Sequence, residues 1–144
     1  MKKLITHPLT VIATFLIIII SGQQFGGFYL LYLILGLPHA AIHSITGVCG
    51  IVLLLFNILH SKLWNRNQIS ALINLGGIVL LWLSLFLFFY NDKSNYNIAT
   101  FYQLLPQILL LLFLIISIYF FVDNILILLK HSKNKLYKPP FQSN

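Results

Sequence analysis

Two histidines, His39 and His43, stand four residues apart, so a helix would place both imidazole rings on one face. Such a pair is half of a zinc site, which needs two further His, Cys or carboxylate ligands. The sequence has no glutamate, two aspartates (Asp92 and Asp123) and one cysteine, Cys49. We therefore predict no metal site, no internal disulfide and no catalysis by paired carboxylates.

Nucleophilic and cofactor chemistry lack suitable residues as well. Ser44 follows His43 directly, but adjacent helix positions point apart, and the chain has no G-x-S-x-G turn. Haem held by two histidines needs them on facing helices, and the last two long apolar segments contain none. We predict no cofactor, and an enzyme using His39 or His43 as acid–base is the least favoured of the functions considered.

The composition indicates a membrane protein. Of the 144 residues, 59% are hydrophobic and 8% are charged, whereas a soluble domain has roughly 25% charged residues. Four spans of about 20 residues would use most of the apolar residues. The net charge of +7 then reflects membrane orientation rather than nucleic-acid binding, and no nucleic-acid partner is predicted.

The apolar segments predict an all-α integral membrane protein, one membrane domain with four transmembrane helices at about 8–22, 38–60, 69–90 and 101–129. Pro38 begins a full-length span, so residues 25–37 are predicted to form a short re-entrant or interfacial helix. A single long first helix would instead place Gln23 and Gln24 near mid-membrane. The first segment also resembles a signal peptide, but it lacks an A-x-A cleavage site, so an uncleaved span is predicted.

The basic residues predict the orientation. One of the nine, Lys93, falls on the outer side, and the other eight fall on the opposite side: Lys2, Lys3, Lys62, Arg66, Lys130, Lys133, Lys135 and Lys138. The positive-inside rule then makes both termini cytoplasmic, with a basic tail at 130–144. Eight Lys to one Arg, with many Ile, Phe and Asn, is typical of an AT-rich genome, and we predict the inner membrane of a bacterium.

Polar residues inside membranes often serve function, although many only join helices. The outer set is predicted to bind a ligand or partner: His39, His43, Gln103, Gln107, Gln23 and Gln24. The inner polar cluster is predicted to join helices, with Asp123 pairing with His60 or a tail lysine: Asn57, His60, Asn74, Asp123 and Asn124.

The segment Phe25–Ser44 (FGGFYLLYLILGLPHAAIHS) resembles small accessory membrane proteins associated with bacterial exosortase systems. The resemblance covers about 20 of the 144 residues and implies an accessory role in surface-protein sorting, with no catalytic residues. The predicted function is therefore a non-enzymatic accessory subunit of an inner-membrane complex, with the bilayer and a larger membrane protein as partners. The alternative is a small transporter, flippase or lipid-binding protein that uses the outer polar set.

Overall fold

The computed structural model describes residues 7–22, 26–60, 67–92 and 96–136. Within these ranges the chain is mostly helical, as predicted, and the elements follow one another as α1 (Pro8–Leu16), β1 (Ile19–Ser21), β2 (Gly26–Phe28), α2 (Tyr29–Gly36), α3 (Ile42–His60), α4 (Asn67–Tyr90), a 3-10 helix (Ile98–Phe101) and α5 (Leu104–Leu136).

Three of the described helices are long and apolar enough to cross a membrane: Ile42–His60, Gln68–Tyr90 and Leu104–Lys130. They match the last three predicted spans, with shifted ends. The predicted span at 38–60 becomes helical only at Ile42, because residues 37–40 form a turn in which Ala40 has a left-handed φ of 50°. Helix α5 continues to Leu136, so the first part of the predicted tail is helical.

The first predicted span, 8–22, is helical only as far as Leu16. The prediction of an all-α fold is therefore wrong for this segment, which continues as a strand. Helix α1 begins at Pro8, whose missing N–H is tolerated in a first turn, and the His7 Nδ1 atom accepts a hydrogen bond from the Leu9 N–H at 3.2 Å. The helix gives way to four consecutive isoleucines, 17–20. Because β-branched side chains favour extended backbone, part of this run forms β1, which pairs antiparallel with β2.

Side chains and backbone from other segments cover β1. Ile18 and Ile20 are fully buried, the Ser21 N–H donates to Thr100 Oγ1 at 2.8 Å, and the Tyr29 N–H donates to the Ile18 carbonyl at 2.7 Å. Non-helical backbone is tolerated at membrane depth only where protein or water satisfies it. The strand is therefore built to lie inside protein rather than against lipid.

Residues 25–37 are predicted as one short helix, whereas the described residues 26–36 divide into β2 and the helix α2. After α2 the chain reverses, and the Ala41 N–H donates to the Gly36 carbonyl at 3.0 Å. Gly36 lies against Ser44, and Leu33 lies against Gly47. In these two contacts, the earlier residue of α2 meets the later residue of α3. Helix α2 therefore runs antiparallel to the first turns of α3.

Glycines bring α3 and α4 into close contact. A Cβ atom added at Gly50 would lie 2.9 Å from the Gly77 carbonyl oxygen and 2.8 Å from a Leu81 methyl group. Gly47 faces Ser84 in the same interface. Small residues let helix backbones approach in this way, so the backbones of α3 and α4 touch where larger residues would hold them apart.

We expect Gly50→Ala to lower the free energy of unfolding by about 1–3 kcal/mol, because the new methyl group must push the backbone of α4 away. Gly76→Ala is the matched control, since no atom lies within 4 Å of its added Cβ, and alanine favours a helix over glycine by roughly 0.5–1 kcal/mol. Denaturation of the two variants in mixed micelles measures the difference. Equal stability of both variants would contradict this packing.

Candidate functional site

Three asparagines from the inner polar cluster form a ladder across the three long helices. The Asn57 Nδ2 group of α3 donates to Asn74 Oδ1 of α4 at 2.6 Å, and Asn74 Nδ2 donates to Asn124 Oδ1 of α5 at 2.9 Å. Asn124 Nδ2 then donates to the Phe120 carbonyl at 2.8 Å. All three side chains are buried. We name this arrangement the asparagine ladder, and it fixes the relative depth of α3, α4 and α5.

The other two members of the inner cluster lie outside the ladder. His60 stacks on Phe56 at a ring-centroid distance of 4.1 Å, and its Nδ1 atom lies 3.2 Å from the Phe56 carbonyl. Asp123 is half-buried. The sequence predicts that Asp123 pairs with His60 or a tail lysine. Within the described part of the chain, Asp123 forms no ion pair with His60 or with Lys130.

The described members of the outer set make separate contacts. His39 is exposed in the turn at 37–40, while the His43 ring packs edge-on against Phe88 at 5.2 Å. Gln103 Oε1 accepts a hydrogen bond from Ser21 Oγ at 2.6 Å, and the Gln107 amide donates to the Phe101 carbonyl. Gln23 and Gln24 lie outside the described residues. Among the described contacts, no hydrogen bond or ring contact joins the histidine pair to the glutamine pair.

A hydrogen-bond chain that sequence reasoning missed links α2, α3 and α4 beside His43. Ser84 Oγ donates to the His43 carbonyl at 2.6 Å, so the fully buried Tyr29 hydroxyl must be the donor to Ser84, whose Oγ lies at 2.9 Å and carbonyl at 3.1 Å. The Tyr29 ring also packs edge-on against Phe15 and Phe88, each at 5.2 Å. The available signal was a tyrosine inside an apolar run, since a buried tyrosine hydroxyl usually finds a partner.

An apolar groove of about 460 Å³ opens between the C-terminal third of α4 and the N-terminal third of α5, next to the 3-10 helix. We call it the aromatic groove, and its lining residues are Trp82, Leu85, Phe86, Phe89, Tyr90, Phe101, Leu110 and Leu114. The Trp82 indole N–H donates to Ser117 Oγ at 2.9 Å, so this polar atom is paired within the helix interface. Sequence reasoning missed the groove, because its lining looks like any apolar helix face.

Buried polar side chains in the described ranges are paired within the protein. Every buried side-chain nitrogen or oxygen there has a hydrogen-bond partner. In the same ranges, no group of three His, Cys, Asp or Glu side chains is placed to hold a metal ion. Several of these polar groups, such as the asparagine ladder, join helices to one another, and the aromatic groove is apolar.

Comparisons with protein-family models, with curated proteins and with solved structures find no match to this chain.

We expect Asn74→Leu to lower the free energy of unfolding by about 1–3 kcal/mol, because it removes two interhelical hydrogen bonds, each worth roughly 0.6–1.7 kcal/mol in membranes. Its neighbours Asn57 and Asn124 then lose partners. The triple leucine variant at 57, 74 and 124 should recover part of this loss, since replacing all partners leaves no orphaned amide. Denaturation in mixed micelles gives both values. Additive losses across the three sites would contradict a coupled ladder.

Proposed function

We propose that the protein is a non-enzymatic accessory subunit of a bacterial inner-membrane complex and that it binds a larger membrane protein through helix α5. The proposal is supported by the way the chain uses its polar groups. The asparagine ladder and the Tyr29–Ser84 contact join this chain's own helices. The described helices expose many large apolar side chains to other molecules.

The observation that carries this proposal is the one-sided packing of α5. This helix contacts α4 and α1, while its other side presents large apolar side chains such as Leu111, Ile115 and Ile118, each more than half exposed. In a bilayer, such a face is covered by lipid or by another helix. The resemblance of residues 25–44 to exosortase accessory proteins extends the proposal to surface-protein sorting or export.

The proposal includes four membrane crossings with both termini cytoplasmic. Helix α1 covers about 14 Å and the three residues of β1 about 10 Å, so the segment covers most of a hydrocarbon core of about 30 Å. Contacts with α5 support this path, because Phe15 packs against Phe113 and Ser21 bonds to Gln103 near the start of the helix. Segment 26–36 then enters from the outer side and returns to it.

Cysteine labelling tests this path in a Cys49→Ala background. We expect Gly26→Cys and His39→Cys to react with a membrane-impermeant maleimide from outside the cell, because both ends of the re-entrant segment lie at the outer face. Both sites tolerate the change: a Cβ at Gly26 meets ordinary contacts of 3.5 Å or more, and His39 is exposed. Opposite labelling sides for the two positions would show that the segment crosses the bilayer, contrary to this proposal.

Purification from native membranes in polymer nanodiscs tests the accessory role. We expect a second membrane protein at fixed stoichiometry, measured by native mass spectrometry. Alanines at Leu111, Ile115 and Ile118 should weaken the association by removing contact area on α5. Alanines at Leu72, Val79 and Leu83, which are exposed on α4, are the matched control and should leave it unchanged. Recovery of the chain without any protein partner would overturn the accessory role.

A lipid-binding membrane protein is the second candidate function, and the aromatic groove favours it. The alternative of transport through an outer polar pocket has less support, because the structure distributes His43, Gln103 and Gln107 among separate contacts. The two candidate functions use different surfaces of α5 and are therefore separable by substitution.

A further inference from the structure

We infer that the aromatic groove between α4 and α5 holds one acyl chain of an outer-leaflet phospholipid. This inference rests on the second candidate function and names its ligand and its site. Its support comes from the dimensions of the groove, from the chemistry of its walls and from the side chains at its two ends.

The length of the groove matches one leaflet. Along α4 it extends from Trp82 to Tyr90, and the eight steps between these residues cover about 12 Å at 1.5 Å per residue. Half of a hydrocarbon core of about 30 Å is about 15 Å. Tyr90 ends α4 and Phe101 lies in the connection that follows, so the mouth of the groove lies where the proposed topology places the outer membrane–water interface. An aromatic ring at this level is typical of membrane proteins.

The walls suit a hydrocarbon chain. The volume of about 460 Å³ falls within the roughly 300–1,000 Å³ of small-molecule pockets. The Phe89 and Phe101 rings contact each other at 4.8 Å and close one wall. At the deep end, the Trp82 indole N–H is bonded to Ser117, so the ring presents apolar surface. A chain of methylene groups needs no hydrogen bonds from such walls.

A partner helix fits this groove less well than a lipid chain. Helices approach closely in membranes across small residues, and the groove is lined by large aromatic and leucine side chains alone. The small residues Gly47, Gly50 and Gly77 already lie in the α3–α4 interface. The partner proposed above uses instead the face of α5 that carries Leu111 and Ile115.

Tryptophan quenching by brominated phospholipid tests the inference. The chain has two tryptophans, so Trp64→Phe leaves Trp82 as the sole tryptophan fluorophore. The purified full chain is kept in detergent micelles and titrated with phosphatidylcholine that carries bromine at the middle of its acyl chains. We expect Trp82 quenching to exceed that expected from random lipid contact in the micelle, with saturation at about one lipid per chain.

Substitutions on α5 separate a resident chain from ordinary surrounding lipid. Leu110→Phe adds a ring inside the groove, whereas Ile108→Phe adds the same ring at an exposed position of α5 outside the groove. The excess quenching should disappear in the first variant and persist in the second. Leu114→Phe provides a second filled groove, and circular dichroism checks that every variant is folded.

Quenching that follows random contact, or that is equal in the folded Leu110→Phe and Ile108→Phe variants, would overturn the inference. This result would leave the accessory role intact, because that role is measured by a protein partner in native membranes. Conversely, saturable quenching of the purified chain supports the lipid site even if no protein partner is found.

Discussion

The constraint on which this fold depends is that a polar group in hydrocarbon has no solvent partner, so each one must be paired inside the protein. The described part of the chain follows this rule at each buried side chain. The rule also explains where irregular backbone occurs. Thr100 and the start of the helix α2 form hydrogen bonds with the segment that contains β1. These bonds allow an extended segment to lie among helices.

Two kinds of contact hold the long helices together, and they act at different places. Near the middle of α3 and α4, glycines allow backbone-to-backbone contact, which gains dispersion energy over many atoms. Toward the C-terminal end of α3 and the N-terminal end of α4, the asparagine ladder adds directional hydrogen bonds and extends the connection to α5. The close packing brings the backbones together, and the ladder sets the register. A shift of one helix by a single turn would break both.

The pairing of polar side chains within the protein also bears on function. Ser84, Ser117 and the ladder asparagines are bonded within the fold, which leaves leucine, isoleucine and aromatic side chains on the described outer faces. Such surfaces recognise hydrocarbon and other helices through shape rather than through hydrogen bonds. An accessory subunit that carries a lipid chain beside its partner-binding helix is consistent with this division of residues.

The sequence alone determined the helical, apolar character of the three long helices, because runs of about 20 apolar residues have few alternatives to helix in a membrane. It also singled out Asn57, Asn74 and Asn124, since amides at helical spacing need partners. It could not determine which segments meet. The isoleucines at 17–20 fit a helix or a strand. The hydrogen bond from Ser21 to Thr100, 79 residues away in the sequence, favours the strand. The aromatic groove likewise arises where residues of α4, α5 and the 3-10 helix come together, and residue type does not reveal where such segments leave a gap.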